Sequence, residues 1–144
     1  MFFCSKRRRI IRKAVLKTVK AFNESKPRIV EHLFYGAVDL DPRNLVVWYL
    51  FETDADLENA RACGLCEDIT KATVRNLLSL GYPAEAFEFG HLDIPVEKIV
   101  VEGVSEEEAA LFLQRMANRK AEVCFTTKED IDKKVNGDYH LYFQ

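Results

Sequence analysis

The stretch Leu45-Val-Val-Trp-Tyr-Leu-Phe-Glu-Thr53 decides the fold of this chain. It is the longest near-continuous apolar run, it is rich in β-branched and aromatic residues, and it is too short for a buried helix. Such a run is typical of a central β-strand that is covered on both faces. We therefore expect Trp48 or Tyr49 to anchor a partner only if this strand proves to be exposed.

The segments on either side of this run give a strand and a helix. Residues 29–40 read as a long strand, and the turn Asp41-Pro-Arg-Asn44 joins it to the central strand as an antiparallel hairpin. Gly36, in the middle of the first strand, predicts a bulge or a close backbone approach. After the central strand, Thr53 or Asp54 caps a helix.

The remainder of the chain continues to alternate between helix and strand patterns. The predicted elements are a helix at 67–80, strands at 87–94 and 98–101, a helix at 105–118, a strand at 121–126, a helix capped by Thr127 and a closing strand at 139–143. This order predicts an α+β fold, a single mixed, largely antiparallel sheet with helices mainly on one face. Residues 28–144 form this domain, and a basic amphipathic helix over residues 1–27 precedes it.

Composition and charge limit the functions that this chain can have. At 144 residues and 48% hydrophobic, the chain has the size of one ordinary domain. No apolar run approaches the roughly 20 residues of a membrane helix, and four cysteines without a secretion signal predict reduced thiols in the cytoplasm. Residues 1–28 carry ten Lys or Arg and one Glu, whereas the remainder carries eleven basic and twenty-two acidic residues. A basic arm therefore precedes an acidic body.

The basic arm is a candidate nucleic-acid-binding element, because Lys and Arg on several sides of a helix can meet phosphates. The candidate contacts are Arg7, Arg8, Arg9, Arg12 and Lys13. Docking of the arm on the acidic body or on a protein partner remains open. If the apolar stripe of this helix were exposed, it would favour a homodimer.

Acidic residues cluster around the end of the central strand and the start of the next helix. They are Glu52, Asp54, Asp56 and Glu58. Carboxylates at this position can steer and hold a basic partner. Helix capping and an ordinary solvated face are the alternative explanations for the same residues.

The sequence Cys63-Gly-Leu-Cys66 has the spacing of a redox dithiol or of half a zinc site. It joins two predicted helices instead of following a strand, so we favour a structural role, with Gly64 as the helix stop. A small enzyme that uses Cys66 and a histidine is a further alternative, with His32, His91 and His140 as the available imidazoles. Phosphate-loop, dinucleotide, nucleophile-elbow and H-E-x-x-H motifs do not occur, which favours a binding protein without a cofactor over an enzyme.

Three segments carry a resemblance to known proteins. They are Phe51-Glu-Thr-Asp-Ala-Asp-Leu57, Gly81-Tyr-Pro83 and Gly137-Asp-Tyr-His-Leu-Tyr-Phe143. Together they resemble a group of small bacterial cytosolic proteins in which an F-x-T-D turn enters a helix, G-Y-P follows and an aromatic strand closes the domain. The similarity covers about residues 28–93 and 123–143, which makes residues 94–122 an insertion relative to that pattern.

Proteins of this build in turn resemble immunity proteins of bacterial toxin systems, which bind and mask a toxin. That resemblance implies a non-enzymatic bacterial protein whose partner is a basic toxin domain. It also implies that the acidic residues around Asp54 face the toxin. The basic arm departs from this pattern, so a nucleic-acid-associated regulatory protein remains the alternative.

Overall fold

The computed structural model describes residues 5–88, 105, 107–109, 111 and 120–143. In chain order, its helices and strands are α1 (Lys6–Ala21), β1 (Glu31–Tyr35), β2 (Val46–Phe51), α2 (Asp54–Ala62), α3 (Leu65–Ser79), β3 (Glu122–Thr127), α4 (Lys128–Val135) and α5 (Tyr139–Tyr142). Short 3₁₀ helices at Pro42–Asn44 and Ala84–Phe87 lie in the connections. The predicted α+β fold with a helix before the sheet is confirmed.

The described strands form one sheet in the order β1-β2-β3, so the apolar run is the central strand, as predicted. The β1–β2 pair is antiparallel, with Phe34 opposite Val47, and it confirms the predicted hairpin. The β2–β3 pair is parallel, with Tyr49 opposite Phe125. The sheet is therefore mixed.

The two faces of the sheet are covered differently. Partner residues across a ladder share a face, so Val47, Tyr49 and Phe51 point to the same side as Phe125. These four side chains pack into the main core with apolar residues of α1 and α3. The opposite face carries Trp48, and the C-terminal ring of Phe143 packs on it.

The first strand is shorter than the predicted strand at 29–40. It ends at Tyr35, because Gly36 leaves the extended conformation with φ +119°. Only glycine fits at this position, since a Cβ atom there would lie 2.0 Å from the Asn44 carbonyl oxygen. The chain then turns through residues 37–41 before the 3₁₀ helix at Pro42–Asn44. Gly36 is thus a close backbone approach, as predicted, but it terminates the strand.

The closing strand predicted at 139–143 is wrong, because Tyr139–Tyr142 is helical. The Asp138 carboxylate accepts hydrogen bonds from the backbone N–H groups of His140 and Leu141, which caps this helix. Asn136 and Gly137 both have positive φ and make the preceding turn, as predicted.

Part of the prediction falls outside the described residues. The strand predicted at 87–94 does not begin at Phe87, which lies in a 3₁₀ helix, and residues 89–94 and 98–101 are not described. Most of the predicted insertion at 94–122 also lies outside these ranges, so it stays a prediction. Near the end of this predicted insertion, the backbone N–H of Ala121 donates a hydrogen bond to the carbonyl of Ala86 at 2.7 Å.

Candidate functional site

The helix α1 separates an apolar side from a cationic one. Ser5 caps it by accepting a hydrogen bond from the Arg8 N–H at 3.1 Å. The buried residues of α1 are Ile11, Ala14, Val15 and Thr18. The first three of these four residues belong to the main core. The helix contains no acidic residue. Its exposed cations, here named the basic stripe, are Lys6, Arg9, Arg12, Lys13, Lys17 and Lys20.

The predicted nucleic-acid contacts divide into two groups. Arg7 Nη1 donates to the Val38 carbonyl at 2.6 Å, and Arg8 Nη2 donates to the Gly36 carbonyl at 3.3 Å. Both side chains therefore hold the connection after β1 against α1. The other three predicted contacts, Arg9, Arg12 and Lys13, are exposed and belong to the basic stripe.

Most of the stripe is not neutralised within the described part of the chain. There, Lys6, Arg9, Lys13, Lys17 and Lys20 make no ion pair with a carboxylate. The stripe runs along a helix of 16 residues, which corresponds to a length of about 24 Å. These five cations, without a carboxylate partner among the described residues, form an extended row and are the main electrostatic feature of α1.

A membrane-surface role fits α1 poorly. An interfacial helix inserts its apolar face into the lipid, but the apolar face of α1 is already buried in the core. The large hydrophobic residue that α1 exposes is Leu16, at 52%. Among the described residues, no helix combines the length and the apolar character needed to cross a bilayer.

The four acidic residues predicted to bind a partner also fall into two groups, one bonded to other residues of the fold and one accessible to a partner. Asp54 accepts a hydrogen bond from the Thr127 hydroxyl at 2.5 Å and an ion pair from Lys133 at 3.1 Å. These two bonds lower its pKa, the Thr127 hydrogen bond having the larger effect. Asp54 therefore joins α2 to α4. Glu52 and Glu58 are exposed and Asp56 is partly exposed, so these three carboxylates can meet a partner.

Among the described thiols, Cys66 and Cys124 are not activated. Gly64, at φ +82°, separates α2 from α3 as predicted, with Cys63 exposed and Cys66 buried. Burial raises the pKa of Cys66 although this residue lies at the start of a helix, and burial also raises the pKa of Cys124. Within the described ranges, no three His, Cys, Asp or Glu side chains are arranged to hold a metal ion.

Within the described part of the chain, no hydrogen bond joins a histidine to a thiol. His32 lies on β1 beside Arg8 and Arg12, and His140 is exposed on α5. His91 lies outside the described residues. The described residues therefore do not bring a thiol and a histidine together into the active site that the small-enzyme alternative requires.

An aromatic cluster on the second sheet face was missed by the sequence reasoning. Tyr49 is fully buried, whereas Trp48 is partly exposed and its indole N–H donates to the Tyr35 hydroxyl at 3.1 Å. The Phe143 ring lies 5.2 Å from the Trp48 ring. The alternation of side chains along β2 is the signal that separates Trp48 from Tyr49.

Comparison of the chain with protein-family models, with curated proteins and with solved structures finds no match in any of the three. The resemblance to toxin-immunity proteins therefore stays a prediction.

Proposed function

We propose that this protein binds nucleic acid through the sugar-phosphate backbone, using the basic stripe of α1. The observation that carries the proposal is the stripe itself, six exposed cations on a helix without a carboxylate. Phosphates are the ligands for which such a row of Lys and Arg is suited, and each neutralised phosphate releases counterions.

The composition of the stripe favours backbone contacts over base reading. Adenine edges are read by the amides of Asn and Gln and unpaired bases stack on aromatic rings, whereas Lys and Arg also serve as phosphate ligands. The exposed side of α1 carries four lysines, two arginines and Leu16, without an aromatic ring or an amide. We therefore expect binding with little sequence preference.

The charge of the remaining domain orients the complex. Outside residues 1–28 the chain has twice as many acidic as basic residues, so its net charge favours approach of phosphates along α1 over approach to the remaining domain. The apolar side of α1 is fixed in the core, so the cations are presented on a rigid helix.

The test measures binding of a labelled duplex and of a single strand of the same length by fluorescence anisotropy at several salt concentrations. Each phosphate contact contributes about −0.9 to the slope of log K against log salt for a duplex, and about −0.7 for a single strand. If helix α1 uses between three and six of its cations, the slope for the duplex is about −3 to −5. A slope near zero contradicts the proposal.

A matched pair of variants locates the site. In Lys13→Gln/Lys17→Gln, the slope should become less steep by about 2, because two phosphate contacts are lost. The control Lys26→Gln/Lys71→Gln also removes two exposed lysines, but both lie outside α1. Equal weakening by the two double variants would show that the overall charge, and not the stripe, governs binding.

The toxin-neutralising function stays a second prediction. The exposed carboxylates of Glu52 and Glu58 are compatible with it, but Asp54 is already paired with Lys133. Stoichiometric binding of a basic protein domain that is lost in Glu52→Gln/Glu58→Gln would favour this function over the nucleic-acid proposal.

A further inference from the structure

The sheet face opposite α1 and α3 carries a cluster of partly exposed rings, here named the aromatic face. Its members are Tyr35, Trp48, Tyr139 and Phe143. The ring centroid of Phe143 lies 6.4 Å from that of Tyr35, 5.2 Å from that of Trp48 and 6.3 Å from that of Tyr139. Phe143 is therefore the centre of the cluster.

These rings are held in place and still accessible. The Trp48 indole N–H is satisfied by the Tyr35 hydroxyl, and Tyr35 is 37% exposed. Behind Phe143, the Tyr142 hydroxyl lies 2.6 Å from that of Thr126 and donates to Asp130 at 2.5 Å, which fixes α5 on the sheet. Rings that are oriented in this way can offer their π faces to a cation.

Carboxylates border the aromatic face at two corners. Glu31 is opposite Leu50 at one end of β2, and Glu122 is opposite Val46 at the other end. Both residues are exposed and share the side of the sheet that carries Trp48. With a rise of about 3.3 Å per residue and strands about 4.8 Å apart, the two positions are about 16 Å from each other, with Trp48 between them.

Further charges lie near the two ends of the aromatic face. Glu31, Glu52 and Asp132 lie close enough to Tyr139 to act on its phenol, and Lys128 is a cation beside the same ring. Near Cys124 the neighbouring charges are Glu122 and Arg61. A third cation, Lys134, lies over the Tyr142 ring and pairs with Asp130. Among the described residues named here, five carboxylates therefore outnumber three cations, and this excess of negative charge suits a cationic ligand.

We propose that the aromatic face is a docking surface for an arginine-bearing, extended segment of a protein partner. A guanidinium can stack on Trp48 or Tyr35 and at the same time meet a carboxylate, a combination that suits Arg better than Lys. Two arginines four residues apart lie on the same side of an extended chain, about 13 Å from each other, and their long side chains can cover the remaining distance to Glu31 and Glu122, which are about 16 Å apart. The inference is independent of the proposed nucleic-acid binding, because it uses the other side of the sheet.

The single tryptophan of the chain makes this surface directly observable. The test titrates the full chain with a synthetic peptide that carries two arginines four positions apart, and follows Trp48 fluorescence. We expect a saturable change, a weaker one with lysines in place of the arginines, and none with glutamines. Absence of a saturable change with the arginine peptide overturns the proposal, as does a Trp48 that acrylamide fails to quench in the free protein.

Matched carboxylate variants separate this surface from the acidic residues on α2. Glu31→Gln/Glu122→Gln should weaken binding of the arginine peptide about fivefold, since each exposed ion pair contributes a factor of about two to three. Asp56→Asn/Glu58→Gln also removes two carboxylates and should leave the affinity unchanged. A larger loss in the second variant overturns the proposal in favour of α2 as the docking site.

Other occupants give distinct results in the same assay. An oligonucleotide that produces the same saturable change in Trp48 would show that the face accepts polyanions and would overturn the proposal. A fluorescence change that depends on protein concentration without peptide would assign the face to a second copy of the chain, which also overturns it.

Discussion

Gly36→Ala should be the most damaging single-methyl substitution on the connection between β1 and β2. A Cβ atom at Gly36 would lie 2.0 Å from the carbonyl oxygen of Asn44. No side-chain rotation relieves this overlap, because the backbone fixes the position of a Cβ atom and the carbonyl oxygen is itself a backbone atom. The residue also has φ +119°, which strains any other amino acid by about 1 to 3 kcal/mol. Relief of the overlap costs about 1 to 3 kcal/mol more, so the free energy of unfolding should fall by about 2 to 6 kcal/mol.

Gly64→Ala is the matched control for this substitution. Gly64 also has positive φ, at +82°, but a Cβ atom there meets nothing within 4 Å. Its cost is therefore limited to the left-handed backbone, about 1 to 2 kcal/mol. Urea denaturation followed by Trp48 fluorescence measures both variants. With a slope of about 2 kcal/mol per molar urea, the midpoint should drop by about 1 to 3 M for Gly36→Ala and by at most about 1 M for Gly64→Ala. Equal shifts would refute the steric argument.

Other predictions concern the bonds that join the helices to the sheet. Thr127→Ala should destabilise by about 2 kcal/mol and Thr53→Ala by about 1 kcal/mol in denaturation, because both hydroxyls cap a helix but only Thr127 also donates to Asp54. Tyr49→Phe should cost about 1 kcal/mol in the same assay, since it removes a buried hydroxyl 2.8 Å from the hydroxyl of Thr73. Hydrogen bonds from Thr127 and Tyr142 lower the pKa of Asp54 and of Asp130 in the folded state. The stabilisation that they give is therefore present above the unfolded pKa of about 3.9 and is lost as the pH falls through the folded values. Acid titration of stability should show this loss, and Asp54→Asn/Asp130→Asn should lack it.

Local signals in the sequence were sufficient for the elements whose ends are set by their own residues. The apolar run before Glu52 gave the central strand, and Thr53 and Thr127 cap helices in the structure as they were expected to do. Gly64 likewise ends one helix and begins the next. In each case the residue type acts on its immediate backbone neighbours, which the sequence shows directly.

Tertiary contacts decided the features that were missed. The aromatic residues at 139–143 have a high strand propensity, but the Asp138 cap and the packing of Phe143 on Trp48 place them in a helix on the sheet face. On α3, the apolar residue Leu78 is 42% exposed, whereas the polar residue Thr73 is buried. Thr73 is accommodated because its hydroxyl donates to the Ile69 carbonyl and lies beside that of Tyr49.

The candidate functional surfaces could also be predicted only in part from the sequence. Charge alone gave Arg9, Arg12 and Lys13 as accessible cations, but it could not show that Arg7 and Arg8 are used by backbone carbonyls after β1. The aromatic face was invisible because its members come from three distant segments. Sequence reasoning can identify a patch within one helix more readily than a patch that the sheet assembles.

The two proposed surfaces should act independently. The helix α1 lies on one side of the sheet and the aromatic face on the other, so the basic stripe and Trp48 are separated by about 20 Å, the spacing of two packed layers. The Debye length at physiological ionic strength is about 8 Å, so most of the charge interaction between the two ligands is screened. Saturating the protein with oligonucleotide should therefore leave the affinity for the arginine peptide unchanged at this salt concentration, once direct binding of the peptide to the oligonucleotide, measured without protein, has been subtracted. A change in that affinity would require a reciprocal change in the affinity for the oligonucleotide, and it would show that the two sites are coupled through the sheet.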